Sequence, residues 1–457
     1  MTDRTREETV GPSRRSVLAG IGSAALGGLA GCTGGGGSQI QDTDGDGVID
    51  SEDYAPRDPS VSRRSDLEST TQAAKTTTAT TTTQVTTTES PTATPTPEPT
   101  TASTTVASED VEGLTARNPA VFDRRNHIVS YSQHSVTVRL WKESVEGYST
   151  KNSDLYVSLA EFPRAGSFAS GRTSVEMGNS NSTSVTVDID VPEEARDETL
   201  HYLAFFVPEG ESIDSLSSND VTHVGESDPF TLQSGASEIA RVTPDELAGL
   251  ESEATDEYVR TNAEGVFDFT IYGRTNGQNW EASYYIFKSA YAAAWRRDHG
   301  RSRPEFVQYE MQNGFAAEFA DLLDGIAEDI GFTDKRMKVE FVIDFVQRLP
   351  YVPDSVSTGY DDFTKFSIET LVELGGDCED TSIMLAGILQ SEPFGYDMVL
   401  IQPPGHMAVG IYGDDLPGYY WTYEDRKYYY IETTGEGWGI GDLPNEYRDA
   451  SAYVIQV

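Results

Sequence analysis

The 457-residue chain has only two cysteines, Cys32 and Cys378, and few basic residues: 33 Lys and Arg stand against 75 Asp and Glu, a formal charge of −42. A chain this negative excludes nucleic acid as a partner, because phosphate binding depends on cationic neutralisation. Its acidic groups repel one another unless salt screens them, so the chain is expected to lose structure at low ionic strength. Beyond the N-terminal region no stretch approaches 18 apolar residues, so the rest of the chain is expected to stay outside a membrane. If processing consumes Cys32, Cys378 is the only free thiol left. Six histidines are present and only His406 follows Cys378, so a base serving that thiol from downstream has one candidate.

The address is written at the front. Ser13-Arg14-Arg15-Ser16-Val17-Leu18 precedes an apolar, small-residue stretch from Ala19 to Ala30 that ends Leu29-Ala30-Gly31-Cys32. A basic start, a short apolar segment and a small-residue cleavage site make a secretory signal, and the paired arginines resemble a twin-arginine export signal. The last four residues resemble a lipobox. Residues 1–31 are therefore expected to be a signal peptide, with Cys32 the lipidated N-terminus of a protein anchored on the extracellular face of the cell membrane. Within 32–64, Asp42, Asp44, Asp46, Asp50 and Asp53 fall at positions 1, 3, 5, 9 and 12 of a loop. Gly47 takes position 6 and Val48 offers its carbonyl from position 7, the oxygen pattern of an EF-hand-type Ca²⁺ loop. Pro56 and Asp58 following it make the segment more similar to thrombospondin type 3 and dockerin repeats. The expected Ca²⁺ is structural; the competing reading is a solvated acidic run. Residues 65–110 are Thr-rich with Pro and Ser, too poor in apolar residues to form a core, and read as a glycosylated stalk.

Short alternating runs fill 111–235. Val136, Val138 and Leu140 share one face, as do Val185, Val187, Ile189 and Val191, and Leu155 to Phe162 and Leu200 to Val207 add strands. This density of strands predicts an all-β, immunoglobulin-like sandwich acting as a spacer or binding module. His127, His134, His201 and His223 lie in it without metal-ligand spacing. Asn181-Ser182-Thr183 is a glycosylation sequon. In 236–457 a helix is expected from Thr243-Pro244-Asp245-Glu246. The stripes Phe315, Phe319, Leu322, Leu323, Ile326, Ile330 and Val339, Val342, Ile343, Val346 have helical period and read as core.

Gly375-Gly376-Asp377-Cys378-Glu379-Asp380-Thr381 delivers Cys378 to the start of an apolar run, hence to a helix N-terminus. Unpaired N–H groups and the positive end of the dipole favour a thiolate there, so a lowered thiol pKa is expected, with Asp377 as N-cap and Asp380 completing a capping pair. The charges of those two acids oppose that lowering. The alternative for Cys378 is a small buried hydrophobe. His406 opens the strand-like run to Tyr412. If that run pairs antiparallel with Lys427 to Thr434 with indices summing to about 839, His406 stands opposite Glu432 or Thr433, within reach of a hydrogen bond.

A helix-borne Cys followed by His and an acid on neighbouring strands resembles the transglutaminase-like cysteine-enzyme superfamily, most closely its archaeal and bacterial branch carrying the motif at Gly375 to Thr381. The resemblance spans about Thr261 to Val457 and includes Phe345 to Tyr351, Pro404-Gly405-His406 and Tyr430 to Thr434. It implies an α+β fold with a papain-like core, Cys378 as nucleophile, His406 as general base and acid, and Glu432 orienting the imidazole. Glu432 stands where the superfamily usually has Asp, and Asp442 is the second candidate for that role.

The chemistry implied is acyl transfer through a thioester on amide or peptide bonds of a cell-surface protein or peptide, resolved by water or by a second amine, with no cofactor in catalysis. The Cys378 backbone N–H is the expected oxyanion donor, and Gln347 is either a second donor or a solvated helix residue. The alternative is a non-catalytic surface module that binds peptide or glycan. Gly418-Tyr419-Tyr420-Trp421-Thr422-Tyr423 is either a rim loop of the substrate cleft or a hairpin packed on its own strands.

Overall fold

The computed structural model describes residues 125–142, 153–164, 166–177, 179–213, 216, 221–357 and 363–457. The export signal, Cys32, the 42–53 loop and the Thr-rich stalk lie outside the described residues. Described residues 125–354 and 363–457 belong to one compact unit, mixed α and β, β-rich in its first part and carrying its helices in the second. Among the described residues no helix is long and apolar enough to cross a membrane.

The alternating runs form two antiparallel sheets. One joins β1 (His127–Tyr131), β2 (Ser135–Trp141) and β5 (Ser182–Asp188). The other runs β4 (Ala169–Ser174), β3 (Ser153–Glu161), β6 (Leu200–Pro208), β8 (Phe230–Thr231) and β9 (Ala240–Arg241), with β7 (Thr222–Glu226) also on β6. Val136, Val138 and Leu140 of the first sheet share a core with Leu155, Val157 and Leu159 of the second, so the period-2 pattern does bury one face against the other. β3 and β6 are buried on both faces, because Tyr156, Ala160, Leu203 and Phe205 feed a second small core behind them. This sheet continues to Arg241, past residue 235.

The helix expected from Thr243 is a single 3-10 turn, Asp245–Leu247, with Pro244 as its N-cap and no side-chain cap. Gly249 at φ +81° reverses the chain two residues after it, in a conformation glycine adopts without penalty. A four-stranded antiparallel meander follows: β10 (Glu253–Ala254), β11 (Tyr258–Ala263), β12 (Val266–Thr275) and β13 (Gln278–Phe287). Trp280, Ala282, Tyr284 and Ile286 alternate into the main core of this part.

Besides the one-turn helix Asp354–Ser357, six longer helices come next: α1 (Lys288–Trp295), α2 (Arg303–Asn313), α3 (Phe315–Asp329), α4 (Lys335–Gln347), α5 (Ser367–Glu373) and α6 (Cys378–Gln390). α2 starts on a capping box, with Glu305 accepting the Ser302 N–H at 2.7 Å, and Asp334 caps α4 by accepting from Arg336 and Met337 N–H groups. The two predicted stripes are α3 and α4, and both lie against α6. α6 is apolar nearly all round because it is the central element. α2, α3, α4 and α5 cover it on one side, and on the other lies a sheet of order β16 (Tyr420–Tyr423), β17 (Arg426–Ile431), β15 (Ala408–Tyr412), β14 (Met398–Gln402) and β18 (Tyr453–Gln456). Each fully buried aliphatic side chain of α6, such as Ile383 or Leu385, contributes about 2 kcal/mol of burial. That packing fixes the height at which the helix presents Cys378.

Candidate functional site

Both glycines before Cys378 are explained by close approach rather than by φ. A Cβ on Gly375 would stand 2.6 Å from Val352 Cγ2 and 3.1 Å from the Pro350 carbonyl oxygen; one on Gly376 would stand 2.7 Å from Asp380 Cβ and Oδ2. The 375–376 backbone instead pairs with 350–352: Val352 N–H donates to the Gly376 carbonyl at 3.0 Å and Gly376 N–H to that of Pro350 at 3.3 Å. Asp377 is the N-cap of α6, and Asp380 Oδ2 accepts its N–H at 3.4 Å while Oδ1 takes the Lys365 N–H at 2.7 Å. Cys378 therefore occupies the first helical position, as its sequence context predicts.

His406 reaches the site on a tight turn. Its N–H donates to the Pro403 carbonyl at 3.3 Å, Pro404 fixes the first corner and Gly405, at φ +73°, makes the second. β15 begins at Ala408, so His406 precedes the strand instead of opening it. The β15/β17 register is Val409 with Ile431 and Gly410 with Tyr430, a sum of 840 where about 839 was expected. The ladder ends at that first pair, and the His–Glu contact is made by side chains just beyond both strand ends. His406 Nε2 lies 3.0 Å from each carboxylate oxygen of Glu432.

Glu432 is 1% exposed and surrounded by donors. Besides His406 it accepts from Tyr430 Oη at 2.8 Å, Thr433 N–H and Thr434 N–H at 3.0 Å, and Thr434 Oγ1 at 2.7 Å. Burial alone would raise its pKa; the hydrogen bond and charge of His406 and the Thr434 donors outweigh it and bring the carboxyl down to about 2. It is a fixed anion. With Nε2 committed to Glu432, Nδ1 is the imidazole nitrogen left for chemistry. The Tyr447 ring stacks on the imidazole, centroids 5.3 Å apart and 3° from parallel.

The thiol departs from expectation. Burial, then the charges of Glu379 and Asp377 and the hydrogen bond to Glu379, push its pKa up, and the Met407 N–H pointing at the sulfur pulls it down only in part. The helix terminus does not produce a thiolate here, because Cys378 Sγ donates to Glu379 Oε2 at 3.3 Å and its neighbours are acids. Asp377, raised by burial and by its hydrogen bond to Glu379, holds the proton the two share, and Glu379 is the lowered partner despite its burial. Asp377, Cys378 and Glu379, and likewise Asp354, Asp377 and Asp380, bring ligand atoms within 4.8 Å of one another, so these acids could hold a cation.

Gln347 is neither an oxyanion donor nor solvated. At 3% exposure it donates to the carbonyls of Glu432 at 2.8 Å and Trp438 at 2.9 Å and accepts the Gly437 N–H at 3.1 Å, clamping the 432–438 turn to the end of α4. Gln347→Leu leaves these three backbone groups unpaired. It is expected to cost about 3 kcal/mol, read as a fall of several degrees in the thermal midpoint; an unchanged midpoint would show that the clamp is dispensable. Asp442 stands apart, accepting only its local Gly439 N–H at 2.9 Å, so Glu432 is the acid brought to His406. Thr433 Oγ1 meets Thr381 at 2.9 Å and Ser382 at 3.1 Å, tying the end of β17 to α6.

Tyr420 to Tyr423 is the edge strand β16, and the hairpin tip is Glu424-Asp425, both at positive φ. Tyr419 and Tyr420 remain exposed, and the Arg448 guanidinium lies 5.5 Å from the Tyr419 ring. Sequence reasoning missed Tyr447, which nothing separates from the chain's other tyrosines. It also missed a buried group in the first part: His201 Nδ1 and His223 Nε2 each stand 3.7 Å from Glu226, whose Oε1 accepts from Ser289 at 2.6 Å. Twenty-two residues separate the two histidines in sequence, but β6 and β7 are paired neighbours.

No family model matches the chain and no curated protein matches it. Among solved structures it is similar to a protein from Parabacteroides distasonis ATCC 8503 described as a "putative protease", at 12% identity and a TM-score of 0.20, over 68% of this chain and 66% of that one. The chain thus spans just under two thirds of that neighbour's length, and a likeness this slight carries no argument about fold or activity.

Proposed function

We propose that the protein is a cysteine enzyme that breaks or exchanges amide bonds through a thioester on Cys378, with a transglutaminase-like, papain-like C-terminal part behind an immunoglobulin-like sandwich. The observation that carries this reading is His406, held through Nε2 by both oxygens of a buried, anionic Glu432, while the adjacent Met407 N–H meets the Cys378 sulfur. A base fixed by an acid beside a thiol at a helix start is the arrangement nucleophilic catalysis requires.

Because the resting thiol is neutral, proton removal accompanies attack. As the sulfur bonds to the carbonyl carbon, His406 Nδ1 takes the thiol proton, and the tetrahedral oxyanion is met by the Cys378 N–H at the start of α6. Collapse breaks the C–N bond, the departing amine carries off the proton from Nδ1, and the thioester remains. Water or a second amine then attacks it, giving up its proton to the same nitrogen; the C–S bond breaks, the acyl product leaves, and the sulfur takes the proton back from Nδ1 to restore the thiol. The rest of the proposal places the chain on the extracellular face of the membrane through lipidated Cys32, with structural Ca²⁺ held by Asp42, Asp44, Asp46, Val48, Asp50 and Asp53, acting on surface protein or peptide.

The test is to incubate the full chain in molar salt with a panel of peptide p-nitroanilides, with and without an added primary amine, and to search for a mass adduct on the Cys378 peptide. Turnover and an adduct that both vanish in Cys378→Ala are expected. The absence of either across the panel would leave the peptide- or glycan-binding module as the better reading.

A further inference from the structure

Glu432 fixes His406 at one corner only. Both carboxylate oxygens lie 3.0 Å from Nε2, and the imidazole has no other hydrogen-bond partner among the described residues. The torsion that turns an imidazole about its Cβ–Cγ bond is broad, so a ring held at one nitrogen can still swing. Nδ1 must nevertheless stay in line with the Cys378 thiol, because a hydrogen bond weakens steeply once it bends below about 120°. A second contact has to set the plane of the ring.

Tyr447 supplies that contact. Its ring lies 3° from parallel to the imidazole with centroids 5.3 Å apart, an offset stack. It comes from the loop between β17 and β18, on a single 3-10 turn, Asn445–Tyr447, where Asn445, Glu446, Arg448 and Asp449 are all exposed. Backbone bonds close the turn on both sides: Tyr447 N–H donates to the Pro444 carbonyl at 3.1 Å, and Ala450 N–H donates to the Tyr447 carbonyl at 3.0 Å. Of residues 445–449 only Tyr447 turns inward, half-buried against the small core of Val399, Ala408, Tyr430 and Leu443, so its ring is anchored. The His406 side chain beside it is 10% exposed.

We infer that Tyr447 is a positioning residue: its ring sets the plane of the His406 imidazole so that Nδ1 faces the thiol while Glu432 holds Nε2. Glu432 fixes the pivot and the nitrogen that carries the proton; Tyr447 fixes where the free nitrogen points. This deepens the proposed Cys–His reading and rests on it.

Coupling between the two rings tests it. The full chain in molar salt is alkylated with iodoacetamide, and the rate at Cys378 is read by peptide mass. The proteins compared are wild type, Tyr447→Leu, Tyr447→Phe, His406→Ala and His406→Ala combined with Tyr447→Leu. Leucine keeps apolar cover but has no flat face, and it is expected to slow alkylation about 10²-fold, the scale of an ångström's misplacement of a reacting group. Tyr447→Phe restores the face and recovers the rate to within about threefold of wild type. In the His406→Ala background the same leucine changes the rate by less than about twofold, because the ring it would release is gone. Tyr447→Met, flexible enough to fill the gap, takes the place of leucine if that variant does not fold. A leucine effect of equal size with and without His406, or none in either, overturns the positioning role and leaves the base in place. A thiol whose rate His406→Ala leaves unchanged overturns the Cys–His pair and the inference with it.

Discussion

Glu432→Gln is expected to lower kcat/KM on any amide substrate the protein cleaves by about 10⁴-fold, the scale seen when the acid that orients a catalytic imidazole becomes an amide. The reason lies in the count of donors. The carboxylate receives His406 Nε2, Tyr430 Oη, two backbone N–H groups and Thr434 Oγ1. A glutamine offers one acceptor atom, and its NH₂ must face groups that are themselves donors, so either Nε2 loses its acceptor or the 432–434 turn opens. Once Nε2 is no longer held as the N–H, the proton redistributes onto Nδ1, the nitrogen that must accept from the thiol. Glu432→Asp keeps the charge one methylene short and is expected to retain most of what glutamine loses. Equal losses in both variants would mean that geometry, not the anion, is what matters.

The same residue gives the protein an acid limit. Its carboxyl lies at about 2 in the folded chain and in the usual glutamate range unfolded, so its contribution is present above about pH 4.5 and lost as pH falls toward 2. At 1.36 kcal/mol per unit that is about 3 kcal/mol, absent from the variant at every pH.

How far the sequence reached depended on range. Cys378 at the start of α6 and the stripes of α3 and α4 are set by residues within one or two turns of one another, and local steric and hydrogen-bond rules suffice for them. The β12–β13 hairpin was not foreseen because its alternation, Trp280, Ala282, Tyr284, Ile286, is carried on a strand whose other face ends in half-buried Tyr285 and Phe287, which blurs the period. The Thr243 helix failed for lack of a propagating face: Ala248-Gly249 leaves the turn, and Leu247 is the one apolar residue of the turn that is buried. The thiol was misjudged in direction because the helix dipole was given more weight than burial and the neighbouring acids, and the depth of burial is a property of the whole fold. His201, His223 and Glu226 meet only because β6 and β7 pair, a long-range fact that spacing does not carry.

Glu310 supplies the opposite pH dependence to Glu432, and its effect is of similar size. It sits on α2, 2% exposed, its Oε1 accepting the Ser367 N–H and its Oε2 the Ser367 hydroxyl, so it caps the start of α5 from a neighbouring helix. Burial raises its pKa to about 7, helped by the charge of Glu369 and opposed by the two Ser367 contacts. A carboxyl raised in the folded state binds its proton more tightly there than in the unfolded chain, so its stabilising contribution is full below about pH 4.5 and is lost as pH rises through 7. The shift of about 2.5 units corresponds to about 3 kcal/mol. In urea unfolding at constant molar salt, the wild type is therefore expected to lose stability from pH 5 to pH 8, partly through general acidic repulsion. Glu310→Gln keeps the shape and carries no titrating proton, so it is expected to remove about 3 kcal/mol of that slope while leaving the repulsive part. Parallel pH curves for the two proteins would show that Glu310 does not hold a proton through neutrality and that α5 is capped by the anion instead.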